Sequence, residues 1–244
     1  IKEGDFLGQK AFLICPKMGG TEWSIDSLIF RSSIWSEDGE LLSAGFKKFF
    51  NYQEKPSLYP APEMFDDKVI TQKIDGSLLC CDKINEKLNL RTRGTFSYKT
   101  LENFAVVDFL IKELPKAFDN FYLNSERYSV LYEFYDPKRK IILDYGDVPK
   151  MWLVEIIDKV NYHYISQQRL DEFAKIINIP RPEVYKFSTF DSVKFTLSTI
   201  KNFEGYCIYF GGDQNIIKLK SDSYLVLHRF MSNATLENVV DLFC

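Results

Sequence analysis

Histidine is almost absent from this chain, with only His163 and His228 among its 244 residues. This scarcity disfavours a histidine-based catalytic triad and a metal site built from several histidines. The five cysteines are odd in number and lack a Cys-x-x-Cys spacing, which favours reduced core residues in a cytoplasmic protein. The sequence has no apolar run of about 18 residues and no signal-peptide pattern, so neither a membrane span nor secretion is expected.

An excess of positive charge is missing as well. The formal net charge is -3 and the pI is about 5.6, so any binding of phosphate must come from a local cluster of cations. The chain is instead rich in apolar and aromatic residues, since 45% of it is hydrophobic, with 21 Phe and 14 Tyr. This content suffices for one substantial core or two modest ones, favours a sheet-rich interior and leaves rings for stacking on bases.

Hydrophobic periodicity predicts an α+β fold of antiparallel sheets flanked by helices. We expect a single domain over residues 1–244, because no repeat, low-complexity tract or linker interrupts the pattern. Alternating apolar residues predict strands at 11–15, 27–35, 69–70, 78–81, 88–93, 129–135, 151–157, 204–210 and 216–220. Helical spacing predicts helices at 97–114, 166–176, 191–200, 224–230 and 235–243, and three prolines predict a loop at 52–67.

A lysine near a turn is the first candidate for chemistry. The segment Lys73-Ile74-Asp75-Gly76-Ser77-Leu78 follows one β-favouring run and precedes another, which predicts a strand, a tight turn and a second strand. One interpretation is a hairpin with a solvated lysine. The other makes Lys73 a covalent nucleophile, which requires an unprotonated amine although a free lysine titrates near a pKa of about 10.4. Neighbouring cations and partial burial are then expected to lower its pKa.

Charged residues inside apolar strands are the second signal. Arg31 follows an apolar run, where an unpaired guanidinium is costly, so we expect an anionic partner, either a structural carboxylate or a phosphate. Glu133 interrupts an apolar, aromatic strand and also needs a partner. Lys218 and Lys220 alternate along a strand and therefore point to one face. Lys48 stands beside two phenylalanines.

A reactive amine, isolated carboxylates and scattered cations are together what a nucleoside triphosphate and Mg²⁺ require. The segments that carry them are Lys73-Ile74-Asp75-Gly76-Ser77-Leu78, Tyr132-Glu133-Phe134, Glu204-Gly205-Tyr206 and Lys218-Leu219-Lys220. They resemble motifs I, III, IV and V of the covalent nucleotidyltransferases, the superfamily of ATP-dependent ligases and capping enzymes. Ser77-Leu78, Lys48-Phe49-Phe50-Asn51 and Lys220-Ser221-Asp222 before Tyr224 are most similar to the T4 RNA ligase 1 family. The resemblance runs from about Arg31 to His228 and implies a nucleotidyltransferase fold, an ATP-grasp-like adenylation domain.

The resemblance implies a role for each matching residue. Lys73 would attack the α-phosphate of ATP and hold AMP as a lysyl phosphoramidate. Glu204 would hold catalytic Mg²⁺, or Mn²⁺ in its place, through the metal's hydration shell, together with Asp75. Glu133 would contact the ribose or a metal-bound water.

Basic residues complete the implied site. Lys218 and Lys220 would bind the phosphates of ATP, and Arg31 and Lys48 would contact the triphosphate from the N-terminal side. Arg93 occupies a place where the family has a basic residue, and it is expected to bind RNA or phosphate. An apolar wall for adenine would come from the strand at 151–157, with Trp152, Leu153 and Val154 as open alternatives.

The implied function is ATP-dependent joining of RNA 5′-phosphate and 3′-hydroxyl ends, single-stranded or nicked, as in RNA repair by a bacteriophage or other virus. The expected location is the cytoplasm, that of the host if the protein is viral. The alternatives are a ligase for single-stranded DNA, an enzyme that only adenylates 5′ ends, and a catalytically silent nucleotide- or RNA-binding module. Ser32 and Cys207 depart from the family pattern, and no counterpart of the prototype's C-terminal tRNA-selecting domain is found, so tRNA specificity is not implied.

Overall fold

The computed structural model of the chain describes residues 1–16, 21–85, 87–98, 122 and 125–233. The strands of this part are β1 (Lys2–Phe6), β2 (Gln9–Ile14), β3 (Ser33–Ser36), β4 (Leu41–Ala44), β5 (Val69–Lys73), β6 (Ser77–Ile84), β7 (Lys87–Thr92), β8 (Tyr128–Tyr135), β9 (Lys150–Asp158), β10 (His163–Tyr164), β11 (Val184–Tyr185), β12 (Gly205–Phe210) and β13 (Asn215–Lys220). The α-helices are α1 (Gln167–Ile177), α2 (Phe190–Thr199) and α3 (Asp222–Asn233), and 3-10 helices lie at Ile25–Arg31, Pro62–Met64 and Pro137–Arg139. Antiparallel pairing throughout the sheets confirms the α+β class.

The N-terminal strands form a meander in the order β1-β2-β3-β4. The predicted strand at 27–35 is wrong in its first half, because Ile25–Arg31 is a 3-10 helix and only β3 is extended. The 3-10 helix has a local cause. Ser27 Oγ accepts a hydrogen bond from Ser24 N at 2.8 Å and donates one to Ser24 O at 3.0 Å. Such serine-to-backbone bonds give the chain an alternative to strand pairing. Arg31 is placed at the end of this helix.

The largest sheet has the order β10-β9-β8-β6-β7. Helix α1 covers its outer face, where Leu170 and Phe173 pack with Leu79, Tyr132 and Leu153 in one core. The helix begins after Ser166, whose side chain accepts a bond from Arg169 N, and ends at Asn178 in the left-handed conformation. The predicted helix at 166–176 is therefore confirmed.

The third sheet has the order β11-β5-β12-β13. Its outer face packs against α2 through Val193 and Leu197. Its inner face contributes Tyr209 and Ile216 to a second core shared with Leu131 of the largest sheet. The inner faces of the two sheets therefore meet in this shared core.

The predicted hairpin around Lys73 is wrong. Strand β5 pairs with β11 and β12, whereas β6 pairs with β7 and β8, so the two strands belong to different sheets. Both edges of β5 are occupied by other strands, which leaves no edge for β6. Residues 74–76 therefore carry the chain from one sheet to the other, and Lys73 ends its strand at the junction.

Two predicted helices, at 97–114 and 235–243, fall outside the described residues except for 97 and 98. Helices α2 and α3 confirm the predictions at 191–200 and 224–230, with shifts of a few residues at their ends. Among the described residues, no helix is both long enough and apolar enough to cross a membrane.

Candidate active site

The centre of the site is a row of three residues on adjacent strands. Gly205 of β12 lies opposite Lys73 of β5 on one side and Lys220 of β13 on the other. Glu204 precedes this glycine, and its Oε1 accepts from both Lys73 Nζ and Lys220 Nζ at 2.9 Å. The Glu204 side chain is 3% exposed, against 21% for Lys73 and 18% for Lys220. The solvated-lysine interpretation is therefore wrong, because the amine lies in a shared ion-pair network.

Gly205 makes this row possible. Its φ of +156° is rare for a residue with a side chain, and a Cβ there would overlap the carbonyl oxygen of Leu219. The close contact lets β12 and β13 bring Glu204 and Lys220 together. Leu219 points to the core on the other face, as the alternation of Lys218 and Lys220 predicts.

The electrostatics of Lys73 differ from the expectation. Burial by itself lowers the pKa of Lys73, but the Glu204 carboxylate outweighs it and raises the pKa above the ordinary lysine value. The predicted lowering of this pKa is therefore wrong for the free protein, in which Lys73 is an ammonium group. The reason is that an acid, rather than a cation, is its immediate neighbour. Removal of its proton requires this ion pair to be rearranged or its charge compensated.

One carboxylate oxygen of Glu204 accepts no hydrogen bond from the described residues. Oε2 is buried and has no hydrogen-bond partner, while Oε1 receives both lysines. A buried carboxylate oxygen without a donor is costly unless a ligand completes it. The described residues contain no cluster of three or more His, Cys, Asp or Glu that could enclose a metal ion. Any cation here would therefore keep most of its ligands from water or from a nucleotide.

Asp75 is placed differently from Glu204. Its Oδ2 accepts from Ile142 N at 2.9 Å and Leu143 N at 2.7 Å, and its Oδ1 accepts from the Tyr224 hydroxyl at 2.7 Å. Both oxygens are thus occupied by protein donors, and the residue is 2% exposed. This arrangement anchors the segment that links β5 to β6 against the loop at 142–143 and helix α3.

Gly76 explains why an Asp-Gly pair follows Lys73. A Cβ at this position would lie 2.6 Å from the Phe134 carbonyl oxygen and 3.1 Å from Glu133 Cγ. Only a glycine lets the linking segment pass so close to β8. Glu133 is thereby brought into the same site, and its nearest charged neighbours include Lys73, Glu204 and Arg31. Burial raises the pKa of Glu133 to about 7, with Lys73 acting in the opposite direction.

The predicted phosphate-binding cations are also brought together. Arg31 lies over the Phe49 ring at 4.9 Å and Lys218 over the same ring at 5.5 Å, while Lys48 lies over Phe50 at 4.6 Å. Burial and the charge of Arg31 lower the pKa of Lys218 to about 7, with smaller effects from other lysines. Burial also lowers the pKa values of Arg31 and Lys48. Cations crowded in this way are destabilised unless an anion joins them.

Arg31 was expected to have an anionic partner. Among the described residues, no ion pair joins Arg31 to a carboxylate, but the Glu133 carboxylate is near enough to act against the burial that lowers the pKa of Arg31, so the carboxylate and phosphate alternatives both stay open. Arg93 belongs to the same charge cluster, because it lowers the pKa of both Arg31 and Lys48. Its guanidinium donates to Pro16 O at 3.4 Å. The sequence-predicted residues thus meet in one place, and Asp75 lies buried beside them with both carboxylate oxygens bonded to protein donors.

The structure reduces the three candidate residues for the apolar wall of adenine to two. Leu153 is fully buried in the core beneath α1, on the face of β9 opposite the site. Trp152 and Val154 lie on the inner face, in the core shared with Phe49 and Cys207. Trp152 is also opposite Glu133 across the strand pair. Leu153 is thereby excluded, and Trp152 and Val154 remain.

Sequence reasoning missed two aromatic residues that hold the site. Tyr224 of α3 binds Asp75 through its hydroxyl and places its ring 4.7 Å from Lys220 Nζ. The Tyr145 hydroxyl accepts from Asp75 N at 2.9 Å, and its ring packs against Trp152 at 5.3 Å between centroids. No local pattern predicts these contacts, because they join segments far apart in the chain.

Comparison with known proteins identifies the family. A family model described as RNA ligase, of the T4 RNA ligase 1 type, matches residues 28–233. A putative bifunctional polynucleotide kinase/RNA ligase of Autographa californica nuclear polyhedrosis virus is 26% identical over 217 residues, which cover 80% of this chain and 30% of the relative. A putative RNA ligase of Thermovibrio ammonificans is 23% identical over 174 residues, covering 70% of this chain and 44% of the relative. The chain thus spans less than half the length of these curated relatives.

Solved structures show a similar fold. A mutant of Naegleria gruberi RNA ligase with ATP and Mn has a TM-score of 0.61 at 14% identity, covering 78% of this chain and 62% of that one. Another mutant of the same enzyme, with AMP and Mn, has a TM-score of 0.60 at 15% identity and covers 78% of this chain and 61% of that one. These likenesses establish the nucleotidyltransferase fold. Because the family model spans most of the chain, including the whole row around Gly205, the chain belongs to the T4 RNA ligase 1 family of RNA ligases.

Proposed function

We propose that this chain is the adenylyltransferase domain of an ATP-dependent RNA ligase that joins 5′-phosphate and 3′-hydroxyl ends. The observation that carries the proposal is the sharing of Glu204 Oε1 by Lys73 and Lys220 beside a crowd of further cations. This arrangement supplies one amine for attack and several positive charges for a polyphosphate. Family membership and the names of the relatives support RNA as the substrate.

In the first step, Lys73 Nζ attacks the α-phosphorus of ATP. A P–N bond forms, the bond to the bridging α–β oxygen breaks, pyrophosphate leaves and Nζ loses a proton. Lys218, Arg31 and Lys48 bind the phosphate oxygens and stabilise the charge of the leaving group. Lys220, held by Glu204 and the Tyr224 ring, is positioned for the α-phosphate. Trp152 and Val154 provide the apolar wall for the base.

A divalent cation fits the Glu204 side of this site. Its unpartnered Oε2 is the oxygen that a hydrated ion would complete, and Mg²⁺ or Mn²⁺ bound there would offset phosphate and carboxylate charge. The Asp75 carboxylate is already occupied by three protein donors, so we assign the ion to Glu204. Asp75 is then a positioning residue that fixes the segment after Lys73.

The later steps pass AMP to the RNA 5′-phosphate and then seal the strand. The 5′-phosphate oxygen attacks the lysyl-bound AMP and the P–N bond breaks, which frees Lys73 and forms a 5′–5′ pyrophosphate linkage. The 3′-hydroxyl oxygen then attacks the 5′-phosphorus, and AMP leaves as a phosphodiester forms. Arg93, beside Arg31 and Lys48, is proposed to bind RNA phosphate. Action in the cytoplasm, that of the host if the protein is viral, stays part of the proposal.

Covalent labelling tests the first step directly. Incubation with ATP labelled at the α-phosphate and Mg²⁺ or Mn²⁺ should attach AMP to the protein, and peptide mapping should locate the adduct on Lys73. Addition of pyrophosphate should remove it. Wild-type protein that binds ATP yet stays unlabelled would contradict the proposal. Matched RNA and single-stranded DNA oligonucleotides then identify which ends are joined.

Proton uptake on ATP binding is a further expectation. The pKa of Lys218 is lowered to about 7 in the free protein, so the amine is largely neutral above that pH. Phosphate oxygens favour the ammonium form and raise this pKa, so binding takes up a proton. ATP affinity should therefore fall as pH rises above about 7, by at most about tenfold per pH unit.

Calorimetry in buffers of different ionisation enthalpy measures this proton directly. Lys218→Met should bind ATP more weakly and lose most of the uptake. Lys175→Ala, an exposed lysine on α1, is the matched control and should behave as wild type. Unchanged uptake in Lys218→Met would assign the proton to another group, such as Glu133.

A further inference from the structure

A groove lies next to the cation cluster and has no role in the proposed attack on ATP. The loop that follows Lys48 folds over the edge of β13 and leaves a volume of about 330 Å³. Its walls include the rings of Phe50, Tyr52 and Tyr59 and the side chain of Ile217. We call this space the loop groove. It lies within residues 50–63, together with Ile217.

The loop groove is built on the same backbone as the phosphate site. Lys218 N donates to Phe50 O at 3.0 Å, and Tyr52 N donates to Lys218 O at 2.9 Å. The Tyr59 hydroxyl donates to Lys48 O at 2.8 Å. The backbone of the segments that carry Lys48 and Lys218 therefore forms one wall of the groove, while the Lys218 side chain points to the face of β13 opposite Ile217. Lys48 Nζ lies 4.6 Å from the centroid of the Phe50 ring, so a ligand in the groove could reach this amine.

The chemistry of the walls matches a nucleobase. Aromatic rings supply stacking surfaces, the exposed amide of Gln53 can donate and accept hydrogen bonds, and exposed Lys55 adds a positive charge. Glu54 accepts bonds from Asn51, which keeps its carboxylate engaged within the loop. A groove of this volume suits a single planar group and is far too small for a stable protein interface.

We propose that the loop groove binds one nucleobase of the RNA strand, with the Tyr59 ring as its main stacking partner and the backbone phosphate of that nucleotide near the Lys48 amine. Tyr52 is less available, because Lys194 Nζ lies 4.9 Å from its ring centroid and Phe190 packs against it at 5.0 Å. The inference rests on the proposed function, since it takes RNA as the substrate. It adds a site for an RNA base to a proposal in which the protein otherwise binds RNA through phosphate alone.

The test combines protein variants with RNA that lacks single bases. Fluorescence anisotropy without ATP measures binding of short single-stranded RNAs in which each terminal nucleotide in turn is abasic, in strands with a 5′-phosphate and in strands with a 3′-hydroxyl. In wild type, one position should show about tenfold weaker binding when its base is missing. Tyr59→Phe keeps the ring and should retain this dependence. Tyr59→Leu should bind intact RNA about tenfold more weakly and be insensitive to the missing base.

A second variant guards against an effect on folding. Ala61→Trp fills the exposed side of the loop groove without removing a ring, and it should also abolish the dependence on the base. Thermal unfolding checks that both variants are folded. If no abasic position distinguishes wild type from Tyr59→Leu and Ala61→Trp, the groove does not bind a base and the inference is wrong.

Covalent labelling by ATP separates this failure from failure of the proposed function. Ala61→Trp should form the lysyl adduct at the wild-type rate, because it leaves the bond from the Tyr59 hydroxyl to Lys48 O in place. Wild type that labels normally but shows no dependence on any base overturns only the groove. Wild type that binds RNA with the expected dependence but never labels overturns the ligase chemistry while the groove stands.

Discussion

Replacing Lys73 with Ala is expected to abolish covalent labelling by ATP, with a loss of at least about 10³-fold. The reason is chemical, since the P–N bond requires this amine. Lys220 shares the same carboxylate oxygen, but it sits on β13 with its charge over the Tyr224 ring. A label that appears on Lys220 or Lys218 in the variant would contradict the assignment of the nucleophile.

Lys73→Arg separates charge from nucleophilicity. Arginine keeps the positive charge facing Glu204 but stays protonated, so it should bind ATP and fail to form the adduct. Both Lys73 variants should still seal RNA that already carries a 5′-linked AMP, because that step uses no free lysine. A sealing defect as large as the labelling defect would show that Lys73 acts in more than the first step.

The pH dependence of labelling follows from the ion pair. Because Glu204 raises the pKa of Lys73 above its ordinary value, the unprotonated amine is rare near neutral pH in the free protein. The labelling rate at saturating ATP should therefore rise with pH through the neutral and mildly alkaline range. A rate that is flat there would mean that the bound state has already removed the proton.

Replacing Glu204 with Gln should slow labelling by at least about 10²-fold. The amide has nearly the same shape, but it cannot balance two ammonium groups or offer a charged Oε2 to a cation. The loss of the carboxylate also removes the interaction that raises the pKa of Lys73, so a larger fraction of Lys73 becomes neutral. Slower labelling would therefore show that the loss of the Glu204 charge affects the rate more than the larger fraction of neutral Lys73 does.

This variant distinguishes two roles of one residue. If Glu204 merely restrains Lys73, then Glu204→Gln should label faster than wild type at neutral pH, which would contradict the proposal. Titration of Mg²⁺ or Mn²⁺ supplies the second measurement, since the variant should need more metal for half-maximal rate. Glu172→Gln, an exposed acid on α1, is the matched control and should change neither quantity.

Sequence patterns located the individual segments well. Alternation placed Lys218 and Lys220 on one face and Leu219 in the core, and both are confirmed by the ion pair of Lys220 and by the burial of Leu219. The helix after Ser166 was also predicted correctly, because its N-terminal cap and its apolar spacing are local signals. Such features depend on neighbours within a few residues, so they can be predicted from the sequence alone.

The pairing of the strands could not be predicted from such local patterns. Val69–Lys73 and Ser77–Ile84 look like the two arms of a hairpin, yet each pairs with strands from distant parts of the chain. The pKa of Lys73 was misjudged for the same reason, because its nearest charge comes from β12 rather than from adjacent sequence. Asp75 was grouped with Glu204 as a metal-binding acid, and the sequence did not reveal that Tyr224, far away in the chain, donates a hydrogen bond to it.

The three-strand row has a consequence for biosynthesis. Glu204 and Lys220 are supplied by segments that leave the ribosome long after Lys73, so a partly made chain holds Lys73 without the carboxylate and the second lysine of its ion-pair network. On the proposed mechanism, we expect such a nascent chain to be unable to react with cellular ATP. The proposed reaction with ATP would then require the β12–β13 hairpin to pair with β5 first.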